Sequence, residues 1–205
     1  MGVGRPYTQR LRAESAAQTR RRMVDAARGV LLAGEVVELS LPTVARLAGV
    51  SRSTLYDAFG SKAGLVTAVF RETLDRAGYQ NLVELITLPD PVEALEAGLA
   101  YACHVYLAEY AVLRRLSLLA QLDPESGTVL QESDRGRAES MRWMAGRLAE
   151  NGRLRDGVTA ETAAALLWTL TSFGTFEQLH SGWGLDAAAC GDQLTFVMRA
   201  SLLRA

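Results

Sequence analysis

The chain has 205 residues, a net charge of −1, 49 % hydrophobic residues and 22 % charged residues. This composition is typical of a folded globular protein and argues against disorder. No apolar run approaches the roughly 18 residues that a membrane helix needs, so we expect no membrane partner and a cytoplasmic location. The two cysteines and two histidines lack the spacing of metal ligands or of a disulfide framework, so we expect neither a metal nor a cofactor.

The charge is distributed unevenly along the chain. Residues 1–70 contain ten Lys and Arg against five Asp and Glu, whereas residues 71–205 contain twelve against eighteen. A basic N-terminal part beside an acidic remainder is expected when only the N-terminal part meets phosphates. Charge alone leaves open that the asymmetry is chance variation of the surface.

The first residues are rich in glycine and arginine. We expect residues 1–14 to form a flexible basic arm without a periodic apolar face. Arg5, Arg10 and Arg12 could follow a phosphate backbone or enter a minor groove, and the alternative is a solvated tail.

An amphipathic helix is predicted from Ser15 to about Ala33. Its start carries the three consecutive arginines Arg20–Arg22. Cations are unfavourable at this end of a helix because they oppose the helix dipole. A contact with DNA phosphate would explain their presence.

The most informative segment is Leu39–Leu65, where two short helices and a tight turn are predicted, with a third helix behind them. Ser40 is suited to cap the first helix, and Gly49 ends it at a position suited to positive φ. Ser51 is suited to cap the second helix, which is expected to bury Leu55 and Phe59. The residues of this second helix that face outward are Arg52, Ser53, Thr54 and Tyr56. Two short helices with a polar outward face have the geometry that fits a DNA major groove.

The run Val44–Leu65 resembles the helix-turn-helix of TetR-type transcriptional regulators. The residues that carry the resemblance are Gly49, Val50, Ser51, Leu55, Tyr56, Phe59, Ser61 and Lys62. The similarity extends over about residues 15–65. Two features depart from the family: the link before Leu39 is one residue longer, and Asp57 and Ala58 stand beside the recognition residues, so the operator sequence should differ.

The resemblance implies an all-α fold with two domains. Residues 15–60 would form a three-helix helix-turn-helix DNA-binding domain, and residues 61–205 a helical bundle for effector binding and dimerisation. The sequence pattern predicts about nine helices in total. Those after the motif run from Lys62 into the eighties, along an apolar stripe from Val92 to Leu113, from a loop at 123–127 to Glu150, over Thr159–His180 and over Asp186–Leu203.

Candidate DNA contacts lie at the starts of the predicted motif helices. They are Ser40, Thr43, Ser51, Arg52, Ser53, Thr54, Tyr56 and Lys62. Arg52 could pair with guanine or clamp a phosphate. The resemblance implies that the Tyr56 hydroxyl contacts phosphate, and the alternative is a buried core tyrosine. Lys62 could hold a phosphate together with the backbone N–H groups at the start of its helix.

Candidate effector contacts are aromatic, methionine and histidine side chains of the C-terminal part, because ligand pockets of helical bundles are lined by such groups. They are Tyr101, His104, Tyr106, Met141, Met144, Trp168, Phe173, Phe176 and His180. The alternative for each is packing in the core or at a subunit contact.

The expected function is that of a transcriptional repressor which binds a palindromic operator as a homodimer. The last two helices would form the dimer surface, and a small-molecule effector would release the DNA. Two alternatives remain: a constitutive regulator or activator without a small ligand, and a helical enzyme or carrier. The sequence has none of the common catalytic motifs, so we expect no enzymatic activity.

Overall fold

A computed structural model describes residues 4–33 and 38–204, with side chains from residue 13 onward. This part of the chain contains eleven α-helices and a short π-helical segment, Gln178–Gly182. The helices are α1 Gly4–Ala33, α2 Leu41–Ala48, α3 Arg52–Phe59, α4 Lys62–Arg76, α5 Tyr79–Ile86, α6 Pro91–Ala108, α7 Tyr110–Leu122, α8 Pro124–Glu150, α9 Ala160–Leu170, α10 Phe173–Glu177 and α11 Ala187–Leu202. The predicted all-α fold class is confirmed. Among the described helices, none has the length and apolar character that crossing a bilayer demands.

The chain divides into two compact units, which we call the first unit and the second unit. The first unit consists of Met1–Glu72 and Arg114–Leu130, and the second of Thr73–Leu113 and Gln131–Ala205. This division differs from the predicted boundary at residue 60. The first unit includes most of α4 and a later segment around the start of α8, because side chains of that segment contact α4.

The predicted helix-turn-helix is present in the first unit with nearly the expected boundaries. Gly49 ends α2 with a φ of 67°, in the left-handed region where glycine is favoured. Leu55 is the one buried residue of α3, whereas the predicted burial of Phe59 is wrong, since that side chain is half-buried. The buried apolar residues of α1 and α2 are Met23, Val24, Ala27, Leu31, Val44, Ala45 and Ala48.

The core of the second unit lies among α6, α8, α9 and α11. Its largest fully buried side chains include Leu99, Met144, Leu148, Leu167, Phe176 and Met198. The helices α6 and α11 approach closely, since a Cβ at Gly191 would stand 3.1 Å from the Cα of Ala100. A side chain at position 191 would therefore push these two helices apart.

The described part contains more helices than the nine predicted, because three continuous helices of the prediction are interrupted. The helix from Lys62 into the eighties breaks at Gly78, where φ is 79°. The predicted stripe from Val92 to Leu113 breaks at Glu109, between α6 and α7. The helix over Thr159–His180 breaks at Ser172, whose hydroxyl accepts from the Thr175 N–H at 3.0 Å and caps α10.

Two other segments differ from their predictions. The predicted loop at 123–127 is largely the first turn of α8, which begins at Pro124. Residues 4–14, predicted as part of a flexible arm, have the backbone of α1. Residues 1–3, the side chains of Arg5, Arg10 and Arg12, and residues 34–37 of the link lie outside the described residues.

Candidate nucleic-acid interface

The N-terminal end of α3 is organised by its cap. The Ser51 hydroxyl accepts from the Thr54 N–H at 3.0 Å, as predicted. The same oxygen lies 2.8 Å from the hydroxyl oxygens of Ser53 and Thr54. These bonds hold the three hydroxyl groups together at the helix end that reaches base edges in this motif.

Polar side chains cover the outward face of α3. Arg52, Ser53 and Thr54 are exposed, and Tyr56 is 49 % exposed, whereas Leu55 is 1 % exposed. The alternative of a buried core tyrosine at position 56 is therefore wrong. Packing inside the chain does not explain this set of polar groups, which leaves them available to an outside partner.

Ser40 and Thr43 form a pair at the start of α2. Ser40 occupies the N-cap position with extended backbone, but its hydroxyl makes no bond to a backbone N–H, so the predicted capping bond is wrong. The hydroxyl lies 3.1 Å from that of Thr43 instead, and both side chains are half-buried. The two candidates therefore share one hydrogen bond.

Lys62 has a carboxylate partner that sequence reasoning missed. Its Nζ lies 3.0 Å from Oδ2 of Asp123, and the N–H of Ala63 donates to Oε1 of Glu125 at 3.2 Å. Asp123 directly precedes α8 and Glu125 lies in its first turn, both within the first unit. The predicted phosphate position at the N-terminus of α4 is thus taken by two carboxylates. No local pattern reveals the pairing, because Lys62 and Asp123 lie 61 positions apart in the sequence.

The ionised form of Asp123 is favoured by its neighbours. The hydroxyl of Ser126, a buried residue, donates to the Asp123 carboxylate, and Lys62 donates to it as well. These two hydrogen bonds hold the pKa of Asp123 below its ordinary value, and the bond from Ser126 has the larger effect.

The three arginines of α1 have different surroundings. Nη1 of Arg20 donates to the carbonyl of Ala58 at 2.6 Å, so this side chain contacts the end of α3. Nη2 of Arg22 donates to the hydroxyl of Thr19 at 3.3 Å. Arg21 is exposed. The sequence suggests a phosphate contact as the reason for these arginines, but Arg20 has a partner within the chain.

Four of the predicted effector residues meet in one aromatic cluster of the second unit, which also contains Tyr110. Phe176 is fully buried and stacks on His180, with ring centroids 5.4 Å apart. The centroid of Tyr106 lies 5.5 Å from that of Phe173 and 5.6 Å from that of Phe176. Tyr110 lies 5.0 Å from His180, and its hydroxyl contacts Glu177 at 3.5 Å. We call Tyr106, Tyr110, Phe173, Phe176 and His180 the aromatic cluster.

Polar groups of the aromatic cluster are bonded within the chain. The Tyr106 hydroxyl donates to the carbonyl of Thr171 at 2.7 Å, and burial raises the pKa of this tyrosine. Nδ1 of His180 donates to the carbonyl of Leu185 at 2.7 Å, which places a proton on that ring nitrogen. Sequence reasoning placed Tyr110 on an apolar stripe and did not single it out, although it follows Tyr106 by one helical turn.

The other predicted effector residues do not join this cluster. Tyr101 bonds to Asn81 and to the carbonyl of Gly78, with His104 exposed beside it. Met141 and Met144 are buried core residues. Trp168 is 40 % exposed and lines a surface groove of about 610 Å³ between α8 and α9. The described residues include no group of three or more His, Cys, Asp and Glu side chains suited to a metal ion.

One part of the first unit matches a known protein family. Residues 23–69 match the family of bacterial regulatory proteins called the tetR family. This range contains the end of α1, the helix-turn-helix and the start of α4. No curated protein matches the sequence.

Solved structures share the fold over nearly the whole chain. NalD, the secondary repressor of the MexAB-OprM multidrug efflux pump in Pseudomonas aeruginosa, is 25 % identical, with a TM-score of 0.73, and the match covers 93 % of this chain and 98 % of NalD. GusR of Salmonella enterica is 21 % identical over 90 % of this chain and 95 % of GusR, with a TM-score of 0.67. A regulator from Saccharomonospora viridis was solved in complex with choline. It is 18 % identical over 92 % of this chain and 100 % of the regulator, with a TM-score of 0.66. Residues 23–69 therefore form a helix-turn-helix domain of the tetR family, and the chain has the fold of the repressor NalD.

Proposed function

We propose that the chain is a repressor which binds a palindromic operator as a homodimer and is released by a small-molecule effector. The observation that carries the DNA-binding part is the exposed polar face of α3, which begins at the hydroxyl cluster of Ser51, Ser53 and Thr54. Direct base readout needs such groups at the N-terminal end of a recognition helix.

Arg52 is the residue of α3 with the greatest capacity to discriminate bases. Its exposed guanidinium has five N–H donors and can pair with O6 and N7 of guanine, or clamp a phosphate. Tyr56 lies one turn further along α3 and supports the proposal as a phosphate contact. Lys62 joins these contacts only when it leaves Asp123, since the two side chains are paired in this conformation.

Exposed aromatic side chains near the last helices support the homodimer. Phe196 on α11 is 67 % exposed, and Trp168 on α9 is also solvent-accessible. Trp183, between the π-helical segment and α11, is 82 % exposed. Large apolar groups of this kind are unfavourable in water and are typical of surfaces that a partner covers. A two-fold dimer presents two copies of α3, so its operator should be palindromic.

The aromatic cluster supports an effector site in the second unit. Its rings and the carboxylate of Glu177 form an environment suited to an apolar or cationic small molecule. The relatives named above include the repressor of a multidrug efflux pump and a regulator solved with choline, which agree with these classes. An effector that binds better to the DNA-free conformation would release the operator, with a coupling of about 1–3 kcal/mol.

A second candidate is a constitutive regulator whose second unit serves protein contacts. It is favoured by the dense packing of the aromatic cluster, in which rings contact one another and Tyr106 donates within the chain. Under this candidate no small molecule changes the affinity for DNA.

The proposal is tested by selecting duplexes from a random-sequence DNA pool with the purified chain. We expect the selected sequences to be palindromic, and sedimentation should give two chains on each duplex. A chain that selects no sequence would overturn the proposal, as would a monomer bound to an asymmetric site. Titration of the complex with a panel of aromatic and quaternary ammonium compounds then separates the two candidates, since only the first predicts release.

A further inference from the structure

The C-terminal end of the recognition helix α3 is held by a residue of α1. Nη1 of Arg20 donates to the carbonyl of Ala58 at 2.6 Å, and Cζ of Arg20 lies 4.2 Å from the centroid of the Phe59 ring. The helix ends there, because Gly60 has a φ of 74° and its N–H bonds to the carbonyl of Tyr56 at 2.7 Å. The guanidinium therefore contacts the last two residues of α3.

The Arg20 contact places a positive charge at the C-terminal end of α3, where the sequence of α3 has none. The last carbonyls of a helix have no partner within the helix and form the negative end of its dipole, which favours a cation. The last turn of α3 contains no basic residue. Arg20 brings a positive charge from α1, a hydrogen bond to a free carbonyl and a cation–π contact with Phe59.

Few side chains of α3 are buried. The helix has eight residues and Leu55 is the only one that is buried. A small rotation about Leu55 would move Arg52 and the exposed face relative to a DNA groove. A contact at the opposite end of the helix restricts this rotation, because it holds α3 at a second point.

We propose that Arg20 is a positioning residue for DNA recognition, which orients α3 through Ala58 and Phe59 and does not act as a phosphate contact. This role rests on the proposed operator binding. It assigns different functions to two adjacent, exposed arginines: Arg20 acts through protein contacts, and Arg21 is a matched control for direct attraction to phosphate.

A phosphate contact and a positioning contact affect the salt dependence of DNA binding differently. Each phosphate contact that is lost reduces the slope of log K against log salt by about 0.9 on duplex DNA. Loss of a positioning contact weakens binding to the selected duplex and leaves the slope unchanged. A positioning residue also affects specific binding more than binding to a scrambled duplex, since only the former needs the correct orientation of α3.

The experiment measures fluorescence anisotropy of a duplex selected by the wild-type chain, at several salt concentrations, with a scrambled duplex alongside. We expect Arg20→Ala to weaken specific binding about tenfold, the scale of a lost charged hydrogen bond and ring contact, with an unchanged slope and little effect on the scrambled duplex. Arg20→Lys should remain at least about threefold weaker than wild type, because an ammonium lacks the planar fork that stacks and donates together. Arg21→Ala should reduce the slope by about 0.9, the change that one lost phosphate contact produces.

A double-mutant cycle with Phe59→Leu provides a second test. Leucine cannot stack on a guanidinium, so the effects of Arg20→Ala and Phe59→Leu should be strongly non-additive. Additive effects would overturn the proposal, as would a reduced salt slope for Arg20→Ala or wild-type affinity for Arg20→Lys. Thermal unfolding of each variant verifies folding, and Arg20→Lys keeps the test valid if Arg20→Ala does not fold. A wild-type chain that selects no duplex would instead overturn operator binding itself, together with this role.

Discussion

Residues with a proposed function lie on α3 and in the aromatic cluster. The two regions differ in whether these side chains face outward or pack against one another. On α3 the polar groups face outward and Leu55 alone is buried. In the aromatic cluster the rings contact one another, and Phe176 has no exposed surface. Packing explains the cluster without a ligand, whereas it does not explain the face of α3. Residue type alone is thus stronger evidence for function on an exposed helix than within a core.

The largest expected effect is on the stability of the second unit. Phe176→Ala should lower the free energy of unfolding by about 3–5 kcal/mol, because it removes a fully buried aromatic ring. Tryptophan fluorescence during urea unfolding measures this unit selectively, since all three tryptophans belong to it.

Trp183→Ala is the matched control, because that side chain is almost fully exposed, and its effect should be small. A loss below about 1 kcal/mol for Phe176→Ala would indicate a loosely packed cluster. The contrast with α3 would then fail, and the effector candidate would gain support.

A smaller effect on stability is expected in the first unit, at the cap of α3. Ser51→Ala removes the hydroxyl that caps α3 and should destabilise the first unit by about 1 kcal/mol. Hydrogen exchange of the α3 amides is a suitable measurement, with faster exchange expected at Thr54. Ser53→Ala is the control, since its hydroxyl bonds to Ser51 and not to a backbone N–H. Equal exchange in both variants would contradict the capping role.

The ion pair at the start of α4 gives a pH-dependent prediction. The pKa of Asp123 is lowered in the folded chain, so its contribution to stability is present above the ordinary value of 3.8 and is lost as pH falls through the folded value. The difference in unfolding free energy between wild type and Asp123→Asn should be constant at neutral pH and shrink in acid. Asp57→Asn, an exposed acid on α3, is the charge-matched control. A difference that grows in acid would contradict this assignment.

The smallest expected effect concerns the two buried cysteine thiols, which should not be alkylated in the native chain. Burial raises the pKa of Cys103 to about 12 and raises that of Cys190, so both remain protonated at pH 8. Iodoacetamide should therefore leave the native chain unlabelled and label both thiols in urea. Rapid labelling of the native chain would show that the second unit opens readily.

The helix-turn-helix was predictable because its signals are local. Gly49 supplies the left-handed turn, and Ser51 caps the next helix three residues from its N–H partner. The break at Gly78 was missed because glycine also occurs inside helices. The positive φ there is stabilised by surroundings that include the Tyr101 hydroxyl, which bonds to the Gly78 carbonyl.

The contacts that refine the candidate site could not be predicted, because they join distant residues. Lys62 pairs with Asp123 across 61 positions, and Arg20 bonds to Ala58 across 38. From the sequence, both side chains are expected to contact phosphate, because each is a cation near a DNA-binding motif. Only the fold shows that each already has a partner within the first unit.

The most direct test of the central account is the affinity of Arg52→Ala for the selected duplex and for duplexes with single base changes. If α3 is the recognition helix, the variant should lose roughly 1–3 kcal/mol of discrimination at one base pair of each half-site. Its thermal stability should equal that of wild type, because Arg52 is exposed. An Arg52→Ala variant with unchanged affinity and unchanged base preference would contradict the assignment of α3 as the helix that recognises DNA.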